Sequence, residues 1–198
     1  MLKSSVIQNP IMKIAGTLIS WVLFAHVSMG MAQEKKPLQV IPHLDVQRYL
    51  GRWYEIAKFP NRFQQQCVSD TSADYALLED GSIRVLNQCR NAQGEWERAV
   101  GQARQIGGPQ SSRLTVRFAP AWLSFLPFVW GDYWVIDLDE SYQLVAVSEP
   151  KREYLWILSR SPDVDSAKYA ALVARLASKG MDVQKLTPGP QSLAISKL

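Results

Sequence analysis

The chain between Trp53 and Arg160 alternates apolar and polar residues with a period of two, which is the pattern of half-buried β-strands. Residues 113–118, "RLTVRF", show it most simply, because every second side chain is apolar. Asp80-Gly81 lies between two apolar runs and is a strong signal for a β-hairpin turn. Similar breaks divide the region into eight predicted strands, at about residues 53–59, 70–78, 82–89, 95–106, 113–118, 131–139, 142–149 and 153–160.

The predicted strands follow one another without an intervening helix, and the last connectors are only a few residues long. Such a meander has antiparallel neighbours and two exposed edges, unless its first strand pairs with its last. Eight strands is also the number at which a closed sheet leaves space for one small ligand. The pattern therefore predicts an all-β fold, an eight-stranded up-and-down antiparallel β-barrel.

A helical period replaces the strand period after Arg160. Residues 161–180 carry an amphipathic stripe, with Ser161 or Asp163 as the predicted N-cap and Gly180 as the stop. We expect this C-terminal α-helix to pack on the outside of the barrel, and residues 181–186 to add a short last strand.

Four further features complete the predicted organisation of the chain, in which the barrel region covers residues 44–190. Residues 44–51 fit a short helical turn with Asp45 as its N-cap and Gly51 as its end. Gly101, inside the fourth strand, predicts a bend or a bulge. Residues 33–43 are polar and punctuated by proline, which predicts a tether, and residues 191–198 are predicted to form a tail.

The first 32 residues have the organisation of a secretory signal peptide. They carry two lysines and no acidic residue, and their apolar run ends in a small-x-small triplet, so cleavage is predicted after Ala32. Met12 is an alternative start, since the sequence after it is itself an ordinary signal. An uncleaved anchor is another alternative, because residues 14–32 are long enough to cross a bilayer.

Export determines the predicted location and the state of the cysteines. No cysteine precedes Cys67, so a lipoprotein anchor is not expected. The predicted location is the periplasm or the cell envelope, and association with the outer membrane is compatible with this prediction. In that oxidising compartment Cys67 and Cys89 are predicted to form a disulfide, with two buried free thiols as the alternative.

Charge and motif content argue against several functions. Removal of the predicted signal lowers the net charge from +4 to +2 and leaves no basic block, so nucleic-acid binding is not expected. Two cysteines and His43 are too few for a metal site. Motifs of serine hydrolases, zinc proteases, thiol oxidoreductases and phosphate-binding loops are missing from the sequence. The sequence therefore predicts a protein without enzymatic activity or cofactor.

Three pieces of sequence on the first, sixth and eighth predicted strands resemble the lipocalin family: "GRWYEIAKFP", "GDYWVIDLD" and "YLWILSRSP". The resemblance covers about residues 44–190. With "DGSIRVLNQC", it is closest to the bacterial outer-membrane lipocalins and their apolipoprotein D-like relatives. It implies that Trp53 seals the closed end of the barrel, with Arg160 of the last strand over its ring and Gly51 beside it. These three residues are expected to be structural.

The inner face of the barrel follows from the parity of residues along each strand. If Trp53 points inward, then Glu55 and Ala57 do so as well, and a buried Glu55 must be paired or neutral. The large side chains of the predicted inner faces are the expected ligand-binding residues: Phe59, Tyr75, Leu114, Phe118, Tyr154 and Trp156. The alternative is that they only fill the core.

The connector at residues 119–134, "APAWLSFLPFVWGDYW", contains three tryptophans and two phenylalanines, which is unusual for a loop. Four hypotheses account for it: a wall of the pocket mouth, a dimer face, a lip that contacts a membrane, or a loop folded over the barrel.

These features favour a non-enzymatic protein that binds, stores or transports a lipophilic ligand in the cell envelope, with a fatty acid or a lysophospholipid as the expected ligand. One alternative is an isomerase-like enzyme on the same fold that acts on a bound lipid. Another is a partner-binding module that uses residues 119–134.

Overall fold

The structure, a computed structural model, describes residues 36–192. Its helices and strands, in chain order, are α1 (Val46–Tyr49), β1 (Gly51–Lys58), β2 (Ser69–Leu77), β3 (Ile83–Arg90), β4 (Trp96–Gln105), β5 (Arg113–Arg117), β6 (Gly131–Leu138), β7 (Leu144–Ser148), β8 (Leu155–Ser159), α2 (Ser166–Ser178) and β9 (Thr187–Pro188). Consecutive strands from β1 to β8 pair antiparallel, and β8 pairs with β1, so the sheet closes. The predicted eight-stranded antiparallel barrel with a C-terminal helix is confirmed, and β9 is an additional strand.

The predicted signal peptide at residues 1–32, with its alternatives of a start at Met12 and an uncleaved anchor, lies outside the described residues. Within residues 36–192, no helix is long and apolar enough to cross a bilayer.

Helix α1 leads into β1 at the end of the barrel that we call the closed end; the opposite end is the mouth. The Asp45 carboxylate caps α1 by accepting from the backbone N–H groups of Gln47 and Arg48. Gly51 then takes φ +88°, a conformation that side chains with a Cβ rarely adopt, and a Cβ there would lie 3.3 Å from the Arg160 guanidinium. The predicted cap and glycine stop are therefore both present.

Two apolar clusters lie on the two faces of the sheet. The inner cluster fills the barrel toward its closed end, around Trp53, and includes Val135, Val147 and Leu158. The outer cluster lies under α2, which contributes the fully buried residues Leu172 and Leu176. An ion pair joins the same helix to β6, since the Arg175 guanidinium donates to both carboxylate oxygens of Asp137 at 2.8 and 3.0 Å.

A bulge in β1 exchanges the two faces of this strand. Pairing of β1 with β8 shifts register between Glu55 and Ala57, so that residues after the bulge reverse their orientation. Trp53 consequently belongs to the inner cluster, whereas Ala57 and Phe59 belong to the outer one. The predictions that Ala57 and Phe59 point inward are therefore wrong, because simple alternation does not continue through a bulge.

The segment before α1 is packed rather than loose. Leu38 is buried in the outer cluster, and the Ile41 amide donates to the Val135 carbonyl at 3.0 Å. Residues 36–43 thus pack along the barrel, which corrects the prediction of a tether for this part of residues 33–43.

The start of the C-terminal helix and the position of the last strand both differ from the prediction. Helix α2 begins after Asp165, whose carboxylate accepts from the Lys168 amide, so neither Ser161 nor Asp163 is the N-cap. Residues 181–186 contain a short 3₁₀ turn, and the last strand comes afterwards as β9.

Residues 187–192 fill the seam between β1 and β2, which pair with each other only in their closed-end halves. Strand β9 pairs with the mouth half of β1. The buried Gln191 amide donates to a backbone carbonyl of each strand, those of Glu55 and Thr71, both at 2.9 Å. Residues 191 and 192, predicted as part of a tail, are therefore part of the barrel wall, while residues 193–198 lie outside the described residues.

The predicted disulfide is present between Cys67 and Cys89, whose Cα atoms are 5.5 Å apart. It joins the segment before β2 to the end of β3 at the mouth, and it excludes the alternative of two free thiols. Closing a loop between residues that are 22 positions apart stabilises the fold by about 3 kcal/mol in the chain-entropy description.

Gly101 occupies an unbroken register between β3 and β4, so the predicted bend or bulge is absent. The glycine is required by close packing instead. A Cβ at this position would lie 2.7 Å from the Arg117 carbonyl oxygen and 2.8 Å from the ring of Phe118.

Gly101→Ala should therefore destabilise the protein by about 1–3 kcal/mol, because the backbone oxygen cannot move aside without disturbing the sheet. Gly131→Ala is the matched control, since its Cβ would lie 3.9 Å from the nearest atom. Urea unfolding of both variants measures the difference. Equal stabilities would contradict the packing explanation.

Candidate functional site

The closed end of the barrel is sealed by a stack of Arg160 on Trp53. The guanidinium carbon lies 4.0 Å from the indole centroid, and the indole is completely buried. Arg160 also donates to the backbone carbonyls of Arg52 and Arg48 at 2.8 and 2.7 Å, and the indole N–H donates to the Tyr49 carbonyl at 2.8 Å. One cation thus joins α1, β1 and the end of β8, which is the arrangement expected from the sequence.

Three tyrosines form the floor of the barrel above this seal. The Tyr133 hydroxyl lies 2.7 Å from the Tyr49 hydroxyl and 2.9 Å from the Tyr75 hydroxyl. Desolvation raises the pKa of Tyr75 to about 12 and raises the pKa values of Tyr49 and Tyr133 well above the ordinary phenol range. All three hydroxyls therefore stay protonated at neutral pH and can donate hydrogen bonds.

The wall above the floor is mainly apolar. Leu114, Val147 and Leu158 are buried there, whereas Val116 and Trp156 are only partly buried. The exposure of these inward-facing side chains increases from the floor to the mouth. This gradient is that of a container closed at one end.

Glu55 is the buried carboxylate of the wall, and it is paired. Its oxygens accept from the Lys58 ammonium at 2.7 Å and from the Gln64 amide at 2.6 Å. The side-chain amide oxygen of Gln64 accepts from the Trp156 indole N–H at 2.9 Å. The network therefore neutralises the charge and ties the segment between β1 and β2 to β8.

Aromatic rings line the mouth. Tyr154 stacks on Trp156 with centroids 5.8 Å apart, and Phe63 lies 5.6 Å from Tyr154. On the other side of the mouth, Phe118 packs against Gly101 and is 43% exposed. A groove of about 310 Å³ borders this ring. A larger groove of about 500 Å³, lined by Gln102 and other residues, runs along the outer face of β4.

The apolar segment at residues 119–130 divides into anchored and exposed aromatic side chains. Trp130 is anchored on the barrel, with the Arg104 guanidinium 4.2 Å from its ring centroid. Trp122, Phe125 and Phe128 are 72%, 75% and 80% exposed. The hypothesis that the whole loop folds over the barrel is therefore wrong for these three side chains, which we call the aromatic lip.

Five of the six predicted ligand-binding residues face the interior or its mouth. Tyr75 is at the floor, Leu114 in the wall, and Phe118, Tyr154 and Trp156 at the mouth. Phe59 is outside, as described for the bulge. Contact of the five inward-facing residues with a ligand stays a prediction.

Sequence reasoning missed Tyr133, Tyr49 and Gln64. The register between β5 and β6 places Tyr133 directly opposite the inward residue Leu114, and only the structure gives that register. Tyr49 is on α1 and Gln64 on a 3₁₀ turn, so strand alternation gives no signal for either.

Within residues 36–192, no group of three or more histidine, cysteine or acidic side chains is placed to hold a metal ion.

Comparison with known proteins supports the resemblance seen in the sequence. The model of the lipocalin-like domain family matches residues 44–191. Temperature-induced lipocalin-1 of Arabidopsis thaliana is 43% identical over 162 residues, covering 80% of this chain and 86% of its own. Outer membrane lipoprotein Blc of Escherichia coli (strain K12) is 36% identical, covering 82% and 88%. Apolipoprotein D of Mus musculus is 33% identical, covering 76% and 78%.

Solved structures share the fold at lower identity. Insecticyanin from the tobacco hornworm Manduca sexta aligns with a TM-score of 0.59 and 19% identity, covering 79% of this chain and 86% of its own. This likeness concerns the architecture alone.

Arg160→Met should lower the free energy of unfolding by about 2–3 kcal/mol, because it keeps the aliphatic length but removes the stack and two hydrogen bonds. Arg113→Met is the matched control, since its guanidinium stacks on Trp134 at an exposed position, 4.7 Å from the ring centroid. Chemical denaturation compares the two. If the control loses as much stability, the seal has no special role.

Proposed function

This chain belongs to the lipocalin family, and from that membership we propose that it is a non-enzymatic carrier of a small lipophilic ligand. The ligand is an acyl lipid, a fatty acid or a lysophospholipid, and the site of action is the cell envelope. The observation that carries the proposal is the gradient of burial inside the barrel. Trp53 at the closed end is completely buried, whereas Val116, Tyr154 and Trp156 toward the mouth are partly accessible.

An apolar chain inserted from the mouth would exchange water for these side chains. Each Å² of apolar surface removed from water contributes roughly 25 cal/mol, less the cost of ordering the chain. The interior thus favours ligands by their apolar length, which suits an acyl tail.

The polar groups of the wall support binding rather than catalysis. Both Glu55 oxygens accept hydrogen bonds from Lys58 and Gln64, so this carboxylate has little capacity to act as a base. The floor hydroxyls have raised pKa values and remain neutral donors. These properties position a ligand without transforming it.

Two observations support a location in the cell envelope. The Cys67–Cys89 disulfide is typical of oxidising compartments. The bacterial relative Blc is named an outer membrane lipoprotein. In this proposal the carrier works near a membrane that supplies or receives its ligand.

The aromatic lip is the surface that we propose contacts this membrane. It lies beside the mouth, between β5 and β6, and three large apolar side chains are exposed together there. Exposed aromatic side chains partition into the interface of a bilayer. Contact at this point would bring the mouth close to the lipid source.

Val116→Trp should weaken the binding of hexadecanoate and of lysophosphatidylcholine by about tenfold or more, because the larger ring fills the accessible wall of the barrel. Titration calorimetry on the purified chain measures both affinities.

Ala76→Trp is the matched control, since Ala76 is exposed and alternates with the inward-facing Tyr75 on β2. We expect it to bind both lipids as the unmodified protein does. Failure of the unmodified protein to bind either lipid would refute the carrier proposal.

Replacing Trp122, Phe125 and Phe128 with serine should reduce association with phosphatidylethanolamine–phosphatidylglycerol vesicles by about tenfold or more, because less apolar surface then enters the interface. Co-sedimentation with vesicles measures it. The double variant Leu78→Ser/Ile106→Ser removes exposed apolar residues at the closed end and should bind as before. Unchanged association of the lip variant with intact folding would exclude the lip.

A further inference from the structure

Resting on the proposed function, we propose that the barrel prefers a lipid whose inner end carries an uncharged oxygen, which accepts a hydrogen bond from the Tyr133 hydroxyl. The ligand class is a long chain with a terminal hydroxyl or carbonyl group, as opposed to a chain that ends in a methyl group.

The three floor hydroxyls have one hydrogen more than they can use among themselves. Each phenol donates one hydrogen, and only two oxygen–oxygen contacts exist, from Tyr133 to Tyr49 and to Tyr75. Within residues 36–192 these hydroxyls have no further hydrogen-bond partner in the structure. One hydrogen of the group is therefore always without an acceptor inside the floor.

Burial decides which hydroxyl keeps the unused hydrogen. Tyr49 and Tyr75 are 2% and 8% exposed, whereas Tyr133 as a residue is only partly buried, and its hydroxyl is the one that contacts both others. A buried donor without an acceptor is costly, so the favourable arrangement has Tyr49 and Tyr75 donating to Tyr133. The hydrogen of Tyr133 is then directed away from both partners, into the interior where the ligand lies.

The surroundings determine the charge of the group that this hydrogen can bind. Buried neighbours of the floor, such as Leu114 and Leu158, are apolar. Arg160 lies against Trp53 and donates to two backbone carbonyls, while Lys58 is paired with Glu55. An ionised head group would thus meet one neutral donor and no available cation among these residues, which is insufficient for a buried charge. A neutral oxygen needs only that one donor.

The test compares matched ligands, 16-hydroxyhexadecanoate with hexadecanoate and 12-hydroxydodecanoate with dodecanoate. The two acids of each pair share the carboxylate that stays at the mouth and differ only at the inner end. In an interior without a donor, the terminal hydroxyl weakens binding because it loses its hydrogen bonds to water. We expect the unmodified protein to bind the hydroxy acid at least as tightly as its parent at one of the two lengths.

Tyr133→Phe removes the donor and should weaken the hydroxy acid relative to its parent by about tenfold, the equivalent of one hydrogen bond. Tyr169→Phe, on α2 outside the barrel, is the control and should leave the ratio of affinities unchanged. The ratio is the readout because a general change of the pocket affects both acids alike.

Two results would overturn the inference alone: hydroxy acids that bind more than about tenfold weaker than their parents at both lengths, or a ratio that Tyr133→Phe does not change. If Tyr133→Phe does not fold, the ratio in the unmodified protein still decides. Binding of none of the four acids would overturn the proposed function together with this inference.

Discussion

The contact of Arg160 with Trp53 is the constraint on which the barrel depends. A closed sheet must join its first strand to its last. The contact of Arg160 with Trp53 links the end of β8 to β1 and covers the closed end of the barrel beside α1. The guanidinium donates hydrogen bonds to the backbone carbonyls of Arg48 and Arg52, so it holds the backbone of α1 and β1 in place. The seal turns a sheet into a container, because only a barrel with one closed end protects an apolar ligand from water on all sides but the mouth.

The bulge after Glu55 lets one strand serve two cores. Before it, Trp53 contributes to the interior; after it, Ala57 and Phe59 contribute to the cluster under α2. Toward the mouth, β1 and β2 do not pair directly, which leaves a seam between them. Strand β9 and Gln191 fill this seam with backbone and side-chain hydrogen bonds, so the C-terminal segment completes the barrel wall.

Polar groups inside an apolar barrel can orient a ligand, because they favour one of its ends over the other. The Glu55 network lies in the wall and is already neutralised by Lys58. The tyrosine floor is neutral as well, but its hydrogens outnumber its internal acceptors. Burial of apolar surface supplies the affinity in such a site, whereas unsatisfied polar atoms discriminate between ligand ends, because their desolvation is recovered only by a complementary group.

The plug of Gly51, Trp53 and Arg160 was expected from the resemblance to the lipocalin family, whereas the strand order, the closed barrel and the disulfide were predictable from the residues themselves. Alternation, turn residues and compartment depend on local composition, which the sequence displays directly. Two features of the candidate site could not be predicted. The position of Phe59 depends on where β1 slips against β8, and the tyrosine floor combines residues that are distant in sequence. Both result from the register between strands, which is set by the free energy of the whole closed sheet and leaves no mark in a single segment.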